Sequence, residues 1–142
     1  LYVYRKSNRK NQPVLLWIHG GGYILGSAED DRAKGIAKNL DCTVISVDYR
    51  LAPEHPFPAG LNDCHAALCW LYEEAEMLGI DPKRIAIGGA SAGAGLAAES
   101  QVPAIGRRYL FGGVLVSDGT SRGVSCDVAC AKTVAAVRRF HQ

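Results

Sequence analysis

Three short apolar runs, each followed by a helical pattern, constrain this chain more than any other feature. Residues 14–19 (VLLWIH), 43–49 (TVISVDY) and 84–88 (RIAIG) are too short for helices and show little polar alternation, so they read as strands buried on both faces. Residues 28–40 read as a helix with Ala33, Ile36, Ala37 and Leu40 on one face. Leu61, Cys64, Leu68, Leu71, Ala75 and Leu78 step by three and four, the spacing of a second amphipathic helix, and a third begins at about Ala92. Residues 1–5 add a further strand. Strands joined through helices do not close as hairpins. The fold class expected is therefore α/β, a mostly parallel sheet with helices on both faces.

Turn chemistry agrees with these boundaries. Residues 51–60 hold three prolines and read as loop, and Asp81-Pro82 reads as a turn. Asn62 or Asp63 is placed to cap the second helix, and Gly79 stands where a helix end wants a left-handed residue.

Composition removes several classes of function. A net charge of +2 offers no electrostatic footprint for nucleic acid. No stretch reaches the roughly 18 apolar residues of a membrane span. Five cysteines at irregular spacing (Cys42, Cys64, Cys69, Cys126 and Cys130) form neither a disulfide framework nor a zinc pair. They are expected to be reduced thiols in a cytoplasmic compartment, with no metal site. The first ten residues carry four basic side chains and no apolar core of a signal peptide, and the chain starts on Leu1 rather than Met, as a sequence beginning inside a longer protein would.

The chain divides near residue 98. Up to there every local signal is clean. Residues 99–142 carry six basic side chains against three acidic ones, and Ser, Arg, Gly and Cys accumulate without a firm period. A strand over 113–117 and a helix over 128–140 are the elements expected there. Two domain assignments follow: an incomplete catalytic domain over 1–98, and a poorly specified tail over 99–142 whose composition fits out-of-frame translation.

Chemistry concentrates at two glycine-rich turns. Gly89-Ala90-Ser91-Ala92-Gly93 is G-x-S-x-G set between a strand and a helix, the context of a nucleophile elbow. Such a turn holds the serine in strained backbone geometry, and Gly89 and Gly93 are required because strand and helix approach too closely for side chains. His19-Gly20-Gly21-Gly22-Tyr23 follows the VLLWIH strand. A serine nucleophile needs backbone N–H groups aimed at a developing oxyanion, and a glycine run exposes them.

HGGGY, then DYRLAPEHPFPAG (residues 48–60), then GASAGAG (residues 89–95) resemble the three signature blocks of the hormone-sensitive-lipase family of α/β-hydrolases, which are esterases and lipases. The resemblance covers roughly residues 1–98, the N-terminal half of such a domain. It implies Ser91 as nucleophile, with Gly21, Gly22 and Ala92 as oxyanion donors. It implies that His19, Gly20, Asp48, Arg50 and Glu54 support the oxyanion loop. Its substrate would be a small carboxylic ester, with no cofactor. His55 and His65 are expected to be surface or structural residues.

The sequence departs from the family at four points. Ala90 stands where many members carry an acidic residue, the N-terminal cap helices are missing, the expected continuation past residue 99 is not recognisable, and the triad is incomplete. Chain order in this fold is Ser, then Asp or Glu, then His. Only Asp118, Asp127 and His141 follow Ser91 in a suitable order, and 51 residues do not supply the intervening strands and helices. The expectation is an ester hydrolase by family whose 142 residues are inactive and unstable on their own. Two rivals stand beside it: a catalytically dead remnant that binds a small ligand, and a nucleotide-binding unit. The second lacks G-x-G-x-x-G in register and any G-K-[ST]. Oligomeric state is left open.

Overall fold

The computed structural model describes residues 1–7 and 9–100. The strand expected over 113–117, the helix over 128–140, Asp118, Asp127, His141, Cys126 and Cys130 lie outside the described residues, as does nearly all of the tail. Element order is β1 (Tyr2–Tyr4), β2 (Gln12–Ile18), α1 (Asp31–Asn39), β3 (Thr43–Val47), α2 (Ala59–Glu73), β4 (Ile80–Gly89) and α3 (Ala92–Glu99). The described strands form one sheet in the order β1-β3-β2-β4. β2 pairs in parallel with both β3 and β4, and β1 adds an antiparallel edge.

Alternate side chains of the central strands feed two separate cores, as a pleat buried on both faces requires. Val14, Leu16 and Ile18 of β2 pack with Ile45 and Val47 against Cys64, Leu68 and Leu71 of α2 and Leu96 of α3. Trp17, with Leu15 beside it, faces the other way and meets Val44 and the Ala33–Ala37 stripe of α1. Fully burying side chains such as Leu16 and Ile18 stabilises the fold by about 1.5–3 kcal/mol each. Helices thus cover both faces of the sheet.

Several boundaries differ from expectation for identifiable reasons. Helix α1 starts at Asp31 rather than residue 28, because Asp30 caps it. The Asp30 carboxylate accepts from the Arg32 N–H at 2.7 Å and from the Trp17 indole at 2.9 Å, fixing the helix start to β2. Leu40 is 57% exposed; it is the C-cap and lies past the buried stripe. Neither Asn62 nor Asp63 caps α2, which starts at Ala59 behind Pro58. Gly79 does adopt positive φ, +68°. The Asp81-Pro82 turn is absorbed into β4: pairing jumps from Gln12↔Ile80 to Val14↔Ile85, and Asp81 accepts from the Lys83 N–H and the Arg84 guanidinium across the resulting bulge.

Register sets the position of the site. Ile18 lies opposite both Val47 and Gly89, so β2, β3 and β4 end level with one another. The segments that follow them (His19–Tyr23, Asp48–Arg50 and Ala90–Ser91) therefore leave the sheet at one edge. The helices after the adjacent strands β2 and β4 lie on opposite faces, α1 on one and α3 on the other. Divergence of that kind opens a crevice at the carboxyl ends of the strands.

Candidate active site

Ser91 joins β4 to α3 with φ +51° and ψ −116°. A side chain in that region is strained, at a cost on the order of 1–3 kcal/mol, and persists only where the surroundings enforce it. Here the enforcement is visible. The Ala90 N–H donates to the Ile18 carbonyl at 3.1 Å, while the Ala94 and Gly95 N–H groups donate to the Ser91 carbonyl at 2.9 and 3.4 Å. A Cβ on Gly93 would lie 2.1 Å from the Ile18 carbonyl oxygen, and one on Gly89 2.5 Å from the Gly93 backbone. Strand and helix can meet this closely only through glycine. Ser91 occupies the N-cap position of α3, yet its hydroxyl caps nothing. A serine at a helix start ordinarily turns its oxygen onto the N2 or N3 N–H. This one is exposed instead.

The loop after β2 passes directly over this turn. A Cβ on Gly20 would stand 2.7 Å from the Ala90 carbonyl oxygen and 3.5 Å from the Ser91 Cβ. Gly21 and Gly22 both have positive φ, +118° and +63°. The Gly21 carbonyl turns inward to accept from Ile24 and Leu25 at 3.2 and 3.0 Å. Among the described residues the N–H groups of Gly21, Gly22 and Ala92 have no acceptor. Ala92 also begins α3, where the helix dipole adds partial positive charge.

Support comes from the segment after β3. His19 is buried, its Nδ1 lies 2.7 Å from the Gly20 carbonyl, and its ring stacks on Tyr49 with centroids 4.3 Å apart. The Tyr49 hydroxyl donates to the His19 carbonyl at 3.0 Å. Burial, together with the neighbouring Cys64 thiol and Tyr23 phenol, pushes the Tyr49 phenol up to about 12, so it stays a donor at any ordinary pH. Asp48 accepts from the Ala28 N–H at 3.1 Å and ties down the far end of the glycine loop. The Ala52 N–H does the same at the Tyr23 carbonyl, 2.9 Å away. Arg50 acts elsewhere: its guanidinium forks onto Asp63 of α2 at 2.8–3.2 Å, and the pair holds its pKa above the usual value. Glu54 is exposed and makes no side-chain bond among the described residues.

Tyr49 and Asp63 are the supporting residues that sequence reasoning placed least well. Tyr49 was visible only as the middle of Asp-Tyr-Arg, and Asp63 only as a helix cap. Of the histidines, His55 is exposed, while His65 is buried and bonded to the Ser100 carbonyl. No described histidine hydrogen-bonds Ser91. Cys42, Cys64 and Cys69 are in no disulfide among the described residues. The described residues contain no cluster of three metal-ligating side chains and no helix long and apolar enough to cross a membrane.

Comparison with known proteins agrees with this geometry. Residues 15–121 match the sequence profile of the alpha/beta hydrolase fold family. Among curated proteins, "Carboxylesterase NlhH" of Mycobacterium tuberculosis is 51% identical over 92 residues, covering 63% of this chain and 29% of that protein. "Arylesterase" of Saccharolobus solfataricus is 43% identical over 102 residues, covering 70% and 33%. Among solved structures, "Bacterial Heroin Esterase" superposes with a TM-score of 0.65 at 52% identity, covering 68% of this chain and 31% of the other. The Pyrobaculum calidifontis esterase gives 0.67 at 43% identity, covering 69% and 33%. The chain spans about a third or less of the length of these relatives. With the three signature blocks, the elbow at Ser91 and this sheet, the chain belongs to the hormone-sensitive-lipase type of the alpha/beta hydrolase fold family.

Proposed function

We propose that Ser91 is the nucleophile of a carboxylic-ester hydrolase. The observation that carries this is the serine itself: backbone φ of +51°, a hydroxyl unused by the helix it precedes, and an exposed position beside a glycine loop whose Gly21 and Gly22 N–H groups, like that of Ala92, have no acceptor among the described residues. The Ser91 Oγ adds to the ester carbonyl carbon, and the carbonyl oxygen takes the charge. The Gly21, Gly22 and Ala92 N–H groups receive that oxyanion without reorganising. Collapse expels the alcohol and leaves an acyl-serine that water hydrolyses. Small carboxylic esters are the proposed substrate class, and the carboxylesterase and arylesterase among the relatives support it.

No base for Ser91 stands among the described residues. Residues 92–100 contain neither Asp nor His; His19 and His65 lie against the Gly20 and Ser100 carbonyls, and His55 makes no hydrogen bond to Ser91. Loss of a triad member ordinarily costs about 10⁴–10⁶ in rate. The 142 residues by themselves are therefore proposed to lack turnover, although the family chemistry is esterolysis. A p-nitrophenyl acetate assay of the purified chain beside Ser91→Ala tests both statements. Equal, near-background rates are expected. Multiple turnovers that vanish in Ser91→Ala would support the nucleophile and overturn the inactivity.

The same lack of a described base favours one second reading, a hydrolase-fold remnant that holds a small ligand without turnover. Saturable ligand binding, unchanged in Ser91→Ala and without product, is its signature.

A further inference from the structure

Tyr23 ends the HGGGY block and is the third successive residue with positive φ, +68° after +118° at Gly21 and +63° at Gly22. Glycine adopts that region freely, whereas a tyrosine there is strained and stays only where its surroundings enforce it. Two anchors do so. The Tyr23 carbonyl accepts from the Ala52 N–H at 2.9 Å. Its side chain reaches α3 at Gly95, where a Cβ would stand 2.9 Å from the phenol oxygen. Gly95 lies four residues past Ser91, on the same helix face. Glycine inside a helix is less stable than alanine, and here its bare Cα makes room for the phenol. The opposite side of the ring has space: Tyr23 is 48% exposed and walls, with Leu61 and Leu96, an open cavity of about 460 Å³. Only the seat on Gly95 and the bond from Ala52 keep it from swinging away.

We propose that Tyr23 is a positioning residue, a latch that holds the Gly21–Gly22 segment beside Ser91 by seating its ring on Gly95. The proposal rests on the reading of Ser91 as nucleophile and of those glycines as oxyanion donors. Gly21 and Gly22 have no side chains to hold them, and glycine has little preference for one backbone conformation over another. Donors stabilise an oxyanion best when they are in place before the charge develops. Tyr23 supplies that fixity at the C-terminal end of the glycine run, as the His19–Tyr49 stack does at the N-terminal end. Its part is steric: the ring matters and the hydroxyl does not.

The test compares the full chain with Tyr23→Gly, Tyr23→Phe, Gly95→Ala and the double variant Gly95→Ala, Tyr23→Phe. Amide hydrogen exchange follows the Leu25 and Ala52 N–H groups, whose bonds to the Gly21 and Tyr23 carbonyls close the loop, with buried Leu16 as reference. Peptide mass mapping follows acetylation of Ser91 by excess p-nitrophenyl acetate, native chain against chain in urea. In Tyr23→Gly, Leu25 and Ala52 are expected to exchange about tenfold or more faster while Leu16 keeps its rate, because relieved strain offsets the lost ring contacts. The native excess of Ser91 acetylation falls about tenfold, part of the 10²–10³ that one lost donor costs. A merely structural role would move stability and acylation together. Tyr23→Phe behaves as the unaltered chain. Gly95→Ala pushes the phenol off α3 and reproduces the losses, and adding Tyr23→Phe, which removes the clashing oxygen, restores both readouts. Unchanged exchange at Leu25 and Ala52 in Tyr23→Gly and Gly95→Ala overturns the latch, as does unchanged Ser91 acetylation in both. If Tyr23→Gly also unprotects Leu16, it has lost its packing, and Gly95→Ala with its Phe rescue decides. No Ser91 acetylation in the unaltered chain overturns the nucleophile instead, and the exchange rates alone then decide the latch.

Discussion

Tyr49 holds His19 twice, donating its hydroxyl to the His19 carbonyl at 3.0 Å and stacking its ring on the imidazole at 4.3 Å. The two residues lie at the ends of adjacent parallel strands, so one side chain fixes where the glycine loop leaves the sheet. Tyr49→Phe keeps the stacking and removes the hydrogen bond. It is expected to lower unfolding stability by about 1 kcal/mol at neutral pH, the usual net worth of such a bond. A sharper signature lies at alkaline pH. The phenol's folded-state pKa is about 12 against an ordinary value of 10.0, so folding favours its protonated form. That contribution is complete below pH 10, because both states are then protonated, and it is lost as pH rises toward 12. Urea titrations across this range should show a decline in the unaltered chain that Tyr49→Phe reduces.

Gly93 has no room for a side chain. Its Cβ would meet the Ile18 carbonyl oxygen at 2.1 Å and the His19 carbonyl oxygen at 2.4 Å, both backbone atoms of the central strand's end. Gly93→Ala must push α3 off β2 and is expected to cost about 3 kcal/mol or more, at the upper end of overpacking penalties. Thermal unfolding beside Gly35→Ala reads this directly. Gly35 has nothing within 4 Å of its would-be Cβ, and its replacement should be neutral or stabilising.

Backbone strain at Ser91 separates two variants that both lack the nucleophile. Alanine keeps a Cβ at φ +51°, whereas glycine removes it. Ser91→Gly is expected to be more stable than Ser91→Ala by about 1 kcal/mol, the cost of forcing a Cβ into such a conformation. Equal stability in matched denaturation curves would mean that the turn is not strained.

These relationships also mark how far the residues could be read without coordinates. The run VLLWIH announced β2 because a strand buried on both faces is apolar at successive positions, and Gly89 and Gly93 announced the elbow because their spacing is set by the turn itself. Local patterns carry such information. The start of α1 did not follow from them, since the Ala28 N–H is taken by Asp48, twenty residues later, and Asp30 is held by Trp17. Asp63 looked like a helix cap, but Arg50 reaches it from a loop folded back over α2. The His65–Ser100 contact was equally hidden, since only the packing of α3 on α2 brings that carbonyl to the imidazole.

The central claim is that Ser91 attacks ester carbonyls, and the lack of a base among the described residues offers a direct way to catch it. Deacylation needs a base as much as acylation does, so an acyl group once transferred should remain on the serine. The measurement is peptide mass mapping of the chain after prolonged incubation with excess p-nitrophenyl acetate and no added base. The account predicts an acetyl group on Ser91 in the native chain, well above the level in the same chain in urea. Acetylation confined to lysines, or equal at Ser91 in native and unfolded chain, would contradict it.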